Sequence, residues 1–489
     1  MLGPIDYEQG ARLRDFLVTE GYTEENLGAR GIVELPSTKL RNMPRLRNLT
    51  REPCRLNCLL RWFWLGERQD RAISQQMMPH WFVELALDCG LLRREGGWLV
   101  PQLLLVQIDG CFITSDHPRT FDQGDSGLVL WPNPTSKLLA RFAIRRPSQA
   151  SLDLGAGNGI LALGLASHSA QVVATDLNPR ATECAIFNTR INGVRNVQCL
   201  TGDAFAPVAN KQFDLIVTNP PFFITPTNSY MFCNNPLELD GLCRSLTREA
   251  PAHLADGGYF QMLCEWAQVG DQPWQERIAE WVEGTGCDAW VLKGHTHDPS
   301  QYAHVRITET LATAERDTQL YDQYMAYYLE RHVTAIHSGL IALRRRDGQN
   351  RLVIEECSET PSTPFGETVL STFAARDFLQ DHTSDEALGI LKPTISPHVR
   401  LESFFQPVDG KWQPSGLTLR LTKGFPFFVD VQPLVADFLA RCDGTHSLQE
   451  LCSDLAMRLK KPVEAVSPEC LRIVRALIEK GLILPAEGK

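Results

Sequence analysis

The fold is decided by the stretch Leu152-Asp153-Leu154-Gly155-Ala156-Gly157-Asn158-Gly159, in which a short apolar strand meets three closely spaced glycines. An apolar helical segment follows at residues 159–167. Glycines at a strand-to-helix turn let the backbone approach a ligand, because no Cβ intrudes. The free N–H groups at the start of the helix then bind a carboxylate or phosphate. The stretch predicts a ligand site at the first turn of a parallel sheet.

Strands and helices alternate on either side of this turn. The pattern predicts helices at 159–167 and 179–192, a partly helical insertion at 295–336, and strands at 151–154, 171–175, 197–200, 213–217, 259–264, 289–292 and 339–343. This rhythm is typical of a doubly wound, mostly parallel α/β sheet, Rossmann-like, here of seven strands. We assign it to residues 111–345.

Two further regions flank the sheet. Residues 1–110 have predicted helices at 56–65 and 78–89 and a hairpin at 91–100, which together predict a helical, winged-helix-like domain. Residues 346–489 begin with a loop-rich stretch and end in an α+β winged-helix-like unit, with a strand at 428–431 and helices at 434–441, 448–458 and 468–480. The tail around Ser447 is similar to winged-helix modules that bind peptides, although a plain helix cap at Ser447 explains the local pattern equally well.

The composition and net charge of the chain favour some classes of protein over others. The chain has 489 residues, of which 43% are hydrophobic and 22% charged, as in ordinary globular proteins. A net charge of −10 gives no general attraction to phosphate backbones and weighs against a nucleic-acid substrate. Without a targeting signal or a long apolar run, we expect a cytoplasmic protein with no membrane partner. Only Cys54 and Cys58 lie close together among 14 cysteines, so we expect no metal site.

Acidic side chains at the strand ends indicate which nucleotide binds. Gly159 comes one position earlier than the third glycine of Gly-x-Gly-x-x-Gly, which disfavours NAD. Asp153 precedes the loop, where it can orient the amino end of a zwitterionic ligand. Asp176 ends the second strand, where a carboxylate takes both ribose hydroxyls, and Asp203 suits a hydrogen bond to an adenine amino group. The alternative is a surface turn with capping aspartates.

This stretch resembles the class I methyltransferase superfamily, whose members bind S-adenosylmethionine at these positions. The resemblance implies S-adenosylmethionine as cofactor. It also implies cofactor contacts from Asp153, Gly155, Ala156, Gly157, Gly159, Asp176, Leu177, Asp203, Ala204 and Asn219.

A second motif, Asn219-Pro220-Pro221-Phe222, follows the fourth strand, where ligands sit in such sheets. The prolines lack N–H donors, so carbonyl groups remain to face the site. The carbonyls of Asn219 and Pro220 can accept both N–H groups of an amide or exocyclic amine and aim the nitrogen lone pair at the methyl group. Phe222 can stack on the planar acceptor. We predict these four residues to be catalytic; a proline-stiffened turn is the alternative.

The motif resembles the Asn-Pro-Pro-aromatic group of amino methyltransferases, which act on glutamine side chains of proteins, on adenine N6 or on guanine N2. The upstream segment from Val129 to Ser136 looks like the Pro-x-Pro segment of the glutamine enzymes. Thr135 and Ser136 stand where those enzymes usually carry Glu and Thr, and Phe222 replaces their usual Tyr, as in guanine-N2 enzymes.

Three hypotheses for the function follow. The leading one is an S-adenosylmethionine-dependent N-methyltransferase acting on a protein or peptide amide, such as a glutamine side chain. The second is a base methyltransferase acting on RNA or DNA. The third is a non-catalytic adaptor, which the intact loop and Asn219 disfavour. The sequence leaves the oligomeric state open.

Overall fold

The computed structural model describes residues 2–32, 43–120, 127–226, 237–308, 314–357, 361 and 363–485. The chain forms two compact units, one of residues 1–140 and 146–358 and the other of residues 141–145 and 359–489. Apart from residues 141–145, the first two predicted regions therefore fall in one compact unit. The division of the chain into three domains stays a prediction, because compactness alone does not define independent folding. Within the described ranges, every helix is too short or too polar to span a bilayer.

In the amino-terminal part, helices come first and short antiparallel strands follow. The helices are α1 (Tyr7–Thr19), α2 (Glu24–Ala29), α3 (Met43–Leu49), α4 (Arg55–Leu59), α5 (Arg71–Met77) and α6 (His80–Asp88). The strands are β1 (Gln69–Asp70), β2 (Leu92–Glu95), β3 (Trp98–Pro101), β4 (Leu104–Ile108) and β5 (Cys111–Ser115). The predicted hairpin is the β2–β3 pair. The β4–β5 hairpin was not predicted, because β4 is a mostly apolar run, interrupted only by Gln107, without regular alternation.

The middle of the chain carries the alternating pattern. The helices are α7 (Pro134–Phe142), α8 (Ile160–Ala166), α9 (Pro179–Ile191), α10 (Gly241–Glu249), α11 (Trp274–Val282), α12 (Pro299–Thr308) and α13 (Ala314–Glu330). The strands are β6 (Ser148–Leu154), β7 (Ser169–Asp176), β8 (Val197–Thr201), β9 (Phe213–Thr218), β10 (Leu254–Val269), β11 (Cys287–His297), β12 (Val333–Arg345) and β13 (Leu352–Glu356). Helices α12 and α13 form the predicted insertion.

These strands form one sheet in the order β13-β11-β12-β10-β9-β6-β7-β8. Strands β10, β9, β6, β7 and β8 are parallel, whereas β12 runs antiparallel to both of its neighbours. The doubly wound, mostly parallel fold is confirmed, but the expected count of seven strands is wrong, since the sheet has eight. The extra strand β13 pairs with β11 beyond the predicted boundary at residue 345. Its sequence, Leu352-Val353-Ile354-Glu355-Glu356, does not alternate between apolar and polar residues.

The amino-terminal part and helices α8 and α9 share one hydrophobic core, to which α8 contributes Leu163 and α9 contributes Phe187 and Ile191. Helix α9 also pairs with β5 through a buried asparagine. The Asn188 side chain accepts from Thr114 N over 2.9 Å and donates to Thr114 O over 3.1 Å, as a neighbouring strand would. It donates to Asn158 O as well, over 2.8 Å. The amino-terminal hairpin is thereby joined to the glycine turn.

The second unit contains helices α14 (Gly366–Asp381), α15 (Asp385–Gly389), α16 (Pro433–Ala440), α17 (Leu448–Leu459) and α18 (Ser467–Glu479). Its strands are β14 (Thr394–Ile395), β15 (Val399–Val408), β16 (Lys411–Leu421), β17 (Phe428–Val431) and β18 (Ile483–Leu484). The predicted strand at 428–431 and the three last helices are confirmed. The predicted loop-rich stretch ends at Gly366, where α14 begins, a helix that was not predicted. Ser447 and Glu450 form the capping box of α17.

Candidate active site

A cleft of about 1200 Å³, partly open to solvent, lies where β6, β7 and β9 end. This is the point at which the chain order of the strands reverses around β6, and ligands bind at such points in open α/β sheets. The structure brings ten predicted residues together in the walls, namely Gly155, Ala156, Gly157, Asp176, Leu177, Asp203, Ala204, Asn219, Pro220 and Pro221. Asp153, Gly159 and Phe222 lie outside these walls.

The glycine turn is pinned to the second strand. Gly155 N and Ala156 N both donate to Thr175 O, over 2.8 and 2.9 Å. The φ angles of Gly155 and Gly157 are 73° and 55°, a region that side chains with a Cβ rarely adopt. A Cβ at either glycine would point into open space. The turn is therefore a cradle whose bare backbone faces the cleft.

Asp176 holds the cradle from the end of β7. Its Oδ2 accepts from Gly157 N over 2.7 Å, and its Oδ1 accepts from Asn178 N over 2.8 Å. Burial raises the pKa of this carboxyl group, and the two backbone hydrogen bonds lower it. Each carboxylate oxygen keeps a second lone pair for a ligand hydroxyl. The cradle and this carboxylate fit the methionine and ribose parts of S-adenosylmethionine.

Gly159 serves helix packing instead of lining the cleft. It lies at the start of α8 with a φ of 79°. A Cβ placed on it would come within 2.9 Å of the Cβ of Ala185 in α9. The third glycine of the turn is thus required by the close approach of two helices.

Asp153 lies behind the turn and is fully buried. Its Oδ2 accepts from Ala162 N in the first turn of α8, over 2.8 Å. Burial, and secondarily the charge of Asp176, raises the pKa of Asp153 to about 7. Among the described residues, its Oδ1 meets no hydrogen-bond donor. Its contact with the amino end of the ligand stays a prediction, and in the structure Asp153 caps α8.

Asn219 directly follows β9 and lines the cleft. Its Nδ2 donates to Thr135 Oγ1 over 3.4 Å. Its Oδ1 is buried and has no hydrogen-bond partner in the described part of the chain. A buried, unsatisfied carbonyl oxygen costs about 1–3 kcal/mol, which a ligand N–H would offset. The role of this oxygen as the acceptor of a substrate N–H stays a prediction.

The aromatic end of the motif is held by the insertion. Phe222 is buried and packs edge-to-face on Phe223, with ring centroids 5.3 Å apart. The Arg306 guanidinium lies 3.7 Å from the centroid of Phe223 and forms an ion pair with buried Glu265 over 2.9 Å. Tyr328 donates its hydroxyl to Ile224 O over 2.7 Å. Stacking of Phe222 on the acceptor stays a prediction.

Sequence reasoning missed the wall made by residues 128–131. Asp116, which is buried, accepts from Val129 N over 2.6 Å and from Arg180 Nη2 over 2.6 Å. Leu130 O accepts from Asn158 Nδ2 over 2.9 Å. Asp116, Asn158 and Arg180 come from separate parts of the chain, so no local sequence pattern indicates this wall. The hydrophobic segment itself was noted only for its resemblance to a Pro-x-Pro motif.

Comparison with known proteins identifies the domain. Residues 132–272 match the family model of the methyltransferase small domain, and residues 371–485 match a domain of unknown function, DUF7782. The first match covers both motifs. Residues 132–272 therefore form a methyltransferase domain, which agrees with the predicted enzyme class and with S-adenosylmethionine as its cofactor.

The curated relatives that match this chain include release factor glutamine methyltransferases. The release factor glutamine methyltransferase of Xylella fastidiosa strain 9a5c is 34% identical over 165 residues, which are 30% of this chain and 60% of that protein. The Escherichia coli K12 enzyme of the same name is 37% identical over 102 residues, which are 20% of this chain and 37% of that protein. The chain thus spans less than two thirds of the length of these relatives.

Among solved structures, the T. Thermophilus 16S rRNA N2 G1207 methyltransferase, in complex with AdoMet and guanosine, is 20% identical. The match covers 57% of this chain and 64% of that chain, with a TM-score of 0.29, which is too low to bear on function.

Proposed function

We propose that this protein transfers the methyl group of S-adenosylmethionine to the side-chain amide nitrogen of a glutamine in a protein substrate. One observation carries the proposal. The buried Asn219 Oδ1 lacks a protein partner in the described residues and belongs to a wall of the cleft that also contains the glycine cradle. The similarity of this domain to release factor glutamine methyltransferases supports the substrate class.

The chemistry requires positioning above all. An amide nitrogen is a poor nucleophile because its lone pair is delocalised into the carbonyl group. If the carbonyls of Asn219 and Pro220 accept its two N–H groups, the nitrogen is held with its lone pair toward the sulfonium methyl group. Alignment of this kind lowers the barrier to transfer. As the N–C bond forms, the bond between sulfur and the methyl group breaks, S-adenosylhomocysteine leaves, and the nitrogen releases one of its two protons. Pro220 and Pro221 contribute by offering no competing N–H donors in the wall.

The substrate class is tested by labelling a cell extract with radioactive S-adenosylmethionine. We expect the label to survive nuclease, to disappear with protease and to depend weakly on salt, because few counterions are released when a protein substrate binds. Peptide mass spectrometry should then locate the methyl group on glutamine. Nuclease-sensitive label with a steep salt dependence would establish the base methyltransferase instead. Cofactor binding without transfer to either polymer would favour the adaptor.

A cytoplasmic location belongs to the same proposal. Twelve cysteines in the described part of the chain, among them Cys54 and Cys58, are free thiols, as is usual for proteins of a reducing compartment. Fractionation of cells that express the tagged full chain tests the location, and recovery in the membrane pellet would contradict it.

A further inference from the structure

A short relay of hydrogen bonds leads from the start of α7 to Asn219. The backbone N–H of Ser136 donates to Asn133 Oδ1 over 2.9 Å. The Thr135 hydroxyl donates to the same oxygen over 2.6 Å. Asn219 Nδ2 then donates to Thr135 Oγ1 over 3.4 Å. The four residues lie in the first compact unit, and Ser136 and Asn219 both line the cleft.

The backbone N–H of Ser136 determines which atom donates and which accepts in each of the following hydrogen bonds. A backbone N–H only donates, so the atom of Asn133 that it meets is the carbonyl oxygen. Thr135 donates its single hydroxyl proton to that oxygen. Only the lone pairs of Thr135 Oγ1 therefore face Asn219. A lone pair needs a donor, so Nδ2 of Asn219 faces Thr135 and Oδ1 faces away. The two ends of an amide have nearly the same size, and only hydrogen bonding distinguishes them.

We propose that Thr135 and Asn133 are positioning residues that fix which end of the Asn219 amide meets the methyl acceptor. This inference rests on the proposed function, in which Asn219 Oδ1 accepts an N–H of the substrate nitrogen. If the two ends of the Asn219 amide were exchanged, Nδ2 would face the substrate N–H, and two donors would meet. The substrate nitrogen would then not be aligned with the methyl group. The relay thus makes the site selective for an acceptor that donates hydrogen bonds.

The kinetic test compares matched threonine variants of the full chain. Thr135→Val removes the hydroxyl at almost constant shape, and Thr135→Ser restores it. Thr189→Val is the control, because the Thr189 hydroxyl donates to Ile186 O within α9, away from the cleft walls. The substrate is a recombinant translation release factor with an accessible glutamine, and the affinity for S-adenosylmethionine is measured by calorimetry.

We expect Thr135→Val to lower kcat by about three- to tenfold, the equilibrium cost of one hydrogen bond that orients the amide. Cofactor affinity should stay within about twofold, since Asp176 and the cradle are untouched. Thr135→Ser should recover most of the lost rate, and Thr189→Val should match the wild type. Asn133→Ala removes the oxygen that accepts the Thr135 hydroxyl proton, so that this hydroxyl can instead donate toward Asn219. It should therefore lower kcat in the same way. An unchanged kcat in Thr135→Val overturns the inference.

A second measurement needs no methyl acceptor. In protein labelled with ¹⁵N-asparagine and loaded with S-adenosylmethionine, the Asn219 side-chain signal is assigned from its loss in Asn219→Ser. Hydrogen exchange of this NH₂ group should be at least about tenfold faster in Thr135→Val than in wild type or Thr135→Ser, because its acceptor is gone. Equal exchange rates overturn the relay. If the wild type methylates no protein, the proposed function fails while this measurement still decides the relay.

Discussion

Replacing Gly159 with alanine should destabilise the first unit by about 2–5 kcal/mol. The φ angle of 79° costs an L-residue roughly 1–2 kcal/mol. The new Cβ would lie 2.9 Å from the Cβ of Ala185 and 3.2 Å from its Cα. Because the second atom is backbone, α8 and α9 must separate, and over-packing of this kind costs about 1–3 kcal/mol. Cofactor affinity should fall too, since the turn that includes Gly157 leads into α8.

Urea denaturation followed by circular dichroism measures the free energy of unfolding. Gly164→Ala is the matched control, because this glycine lies in the same helix, is exposed, and would place its Cβ in open space. That change should stabilise the protein by roughly 0.5–1 kcal/mol, through the higher helix propensity of alanine. If Gly159→Ala lowers the free energy of unfolding and Gly164→Ala raises it, the destabilisation arises where α8 contacts α9.

A double-mutant cycle with Ala185→Gly separates the contact from the backbone strain. Removing the Ala185 methyl group relieves the 2.9 Å contact and should reduce the cost of Gly159→Ala by up to about 1–3 kcal/mol. The remaining cost reflects the φ angle and the 3.2 Å approach to the Ala185 Cα, neither of which Ala185→Gly relieves. A coupling energy near zero, or a Gly159→Ala protein as stable as the wild type, would refute the reasoning.

Three further predictions concern the cleft. Asp176→Ala should weaken S-adenosylmethionine binding at least about tenfold in calorimetry, since a hydrogen bond to a charged group is worth about 1.5–3 kcal/mol; unchanged affinity would contradict the assignment. Asn219→Ala should lower kcat about a hundredfold or more with little change in cofactor affinity, and a variant that keeps most of its turnover would exclude Asn219 from the mechanism. Burial raises the pKa of Asp153 from 3.8 to about 7, so its contribution to stability is complete below pH 3.8 and is lost as pH rises through 7. Asp153→Asn should flatten the decline in unfolding free energy between about pH 4 and pH 7, and an equally steep decline would show that another group titrates.

The parallel half of the sheet could be predicted from local sequence alone. Strands β6 to β9 and helices α8 and α9 lie within a few residues of their predicted bounds. Each strand is a short apolar run, and the glycine turn and Pro179 mark where the helices begin. The acids at the strand ends could be placed for the same reason, because parallel strands all end at one edge of the sheet. Local composition thus determined the position of the cleft.

Contacts between distant segments decided the remainder. The sequence places Asp153 next to the cleft, but its side chain lies behind the turn and caps α8. The relay to Asn219 joins positions 84 residues apart, and the wall at 128–131 depends on Asp116 and Arg180. Periodicity and turn chemistry describe neighbours along the chain. The direction in which a buried amide or carboxylate points depends instead on the donors that meet it after folding, and only the tertiary structure brings those donors together.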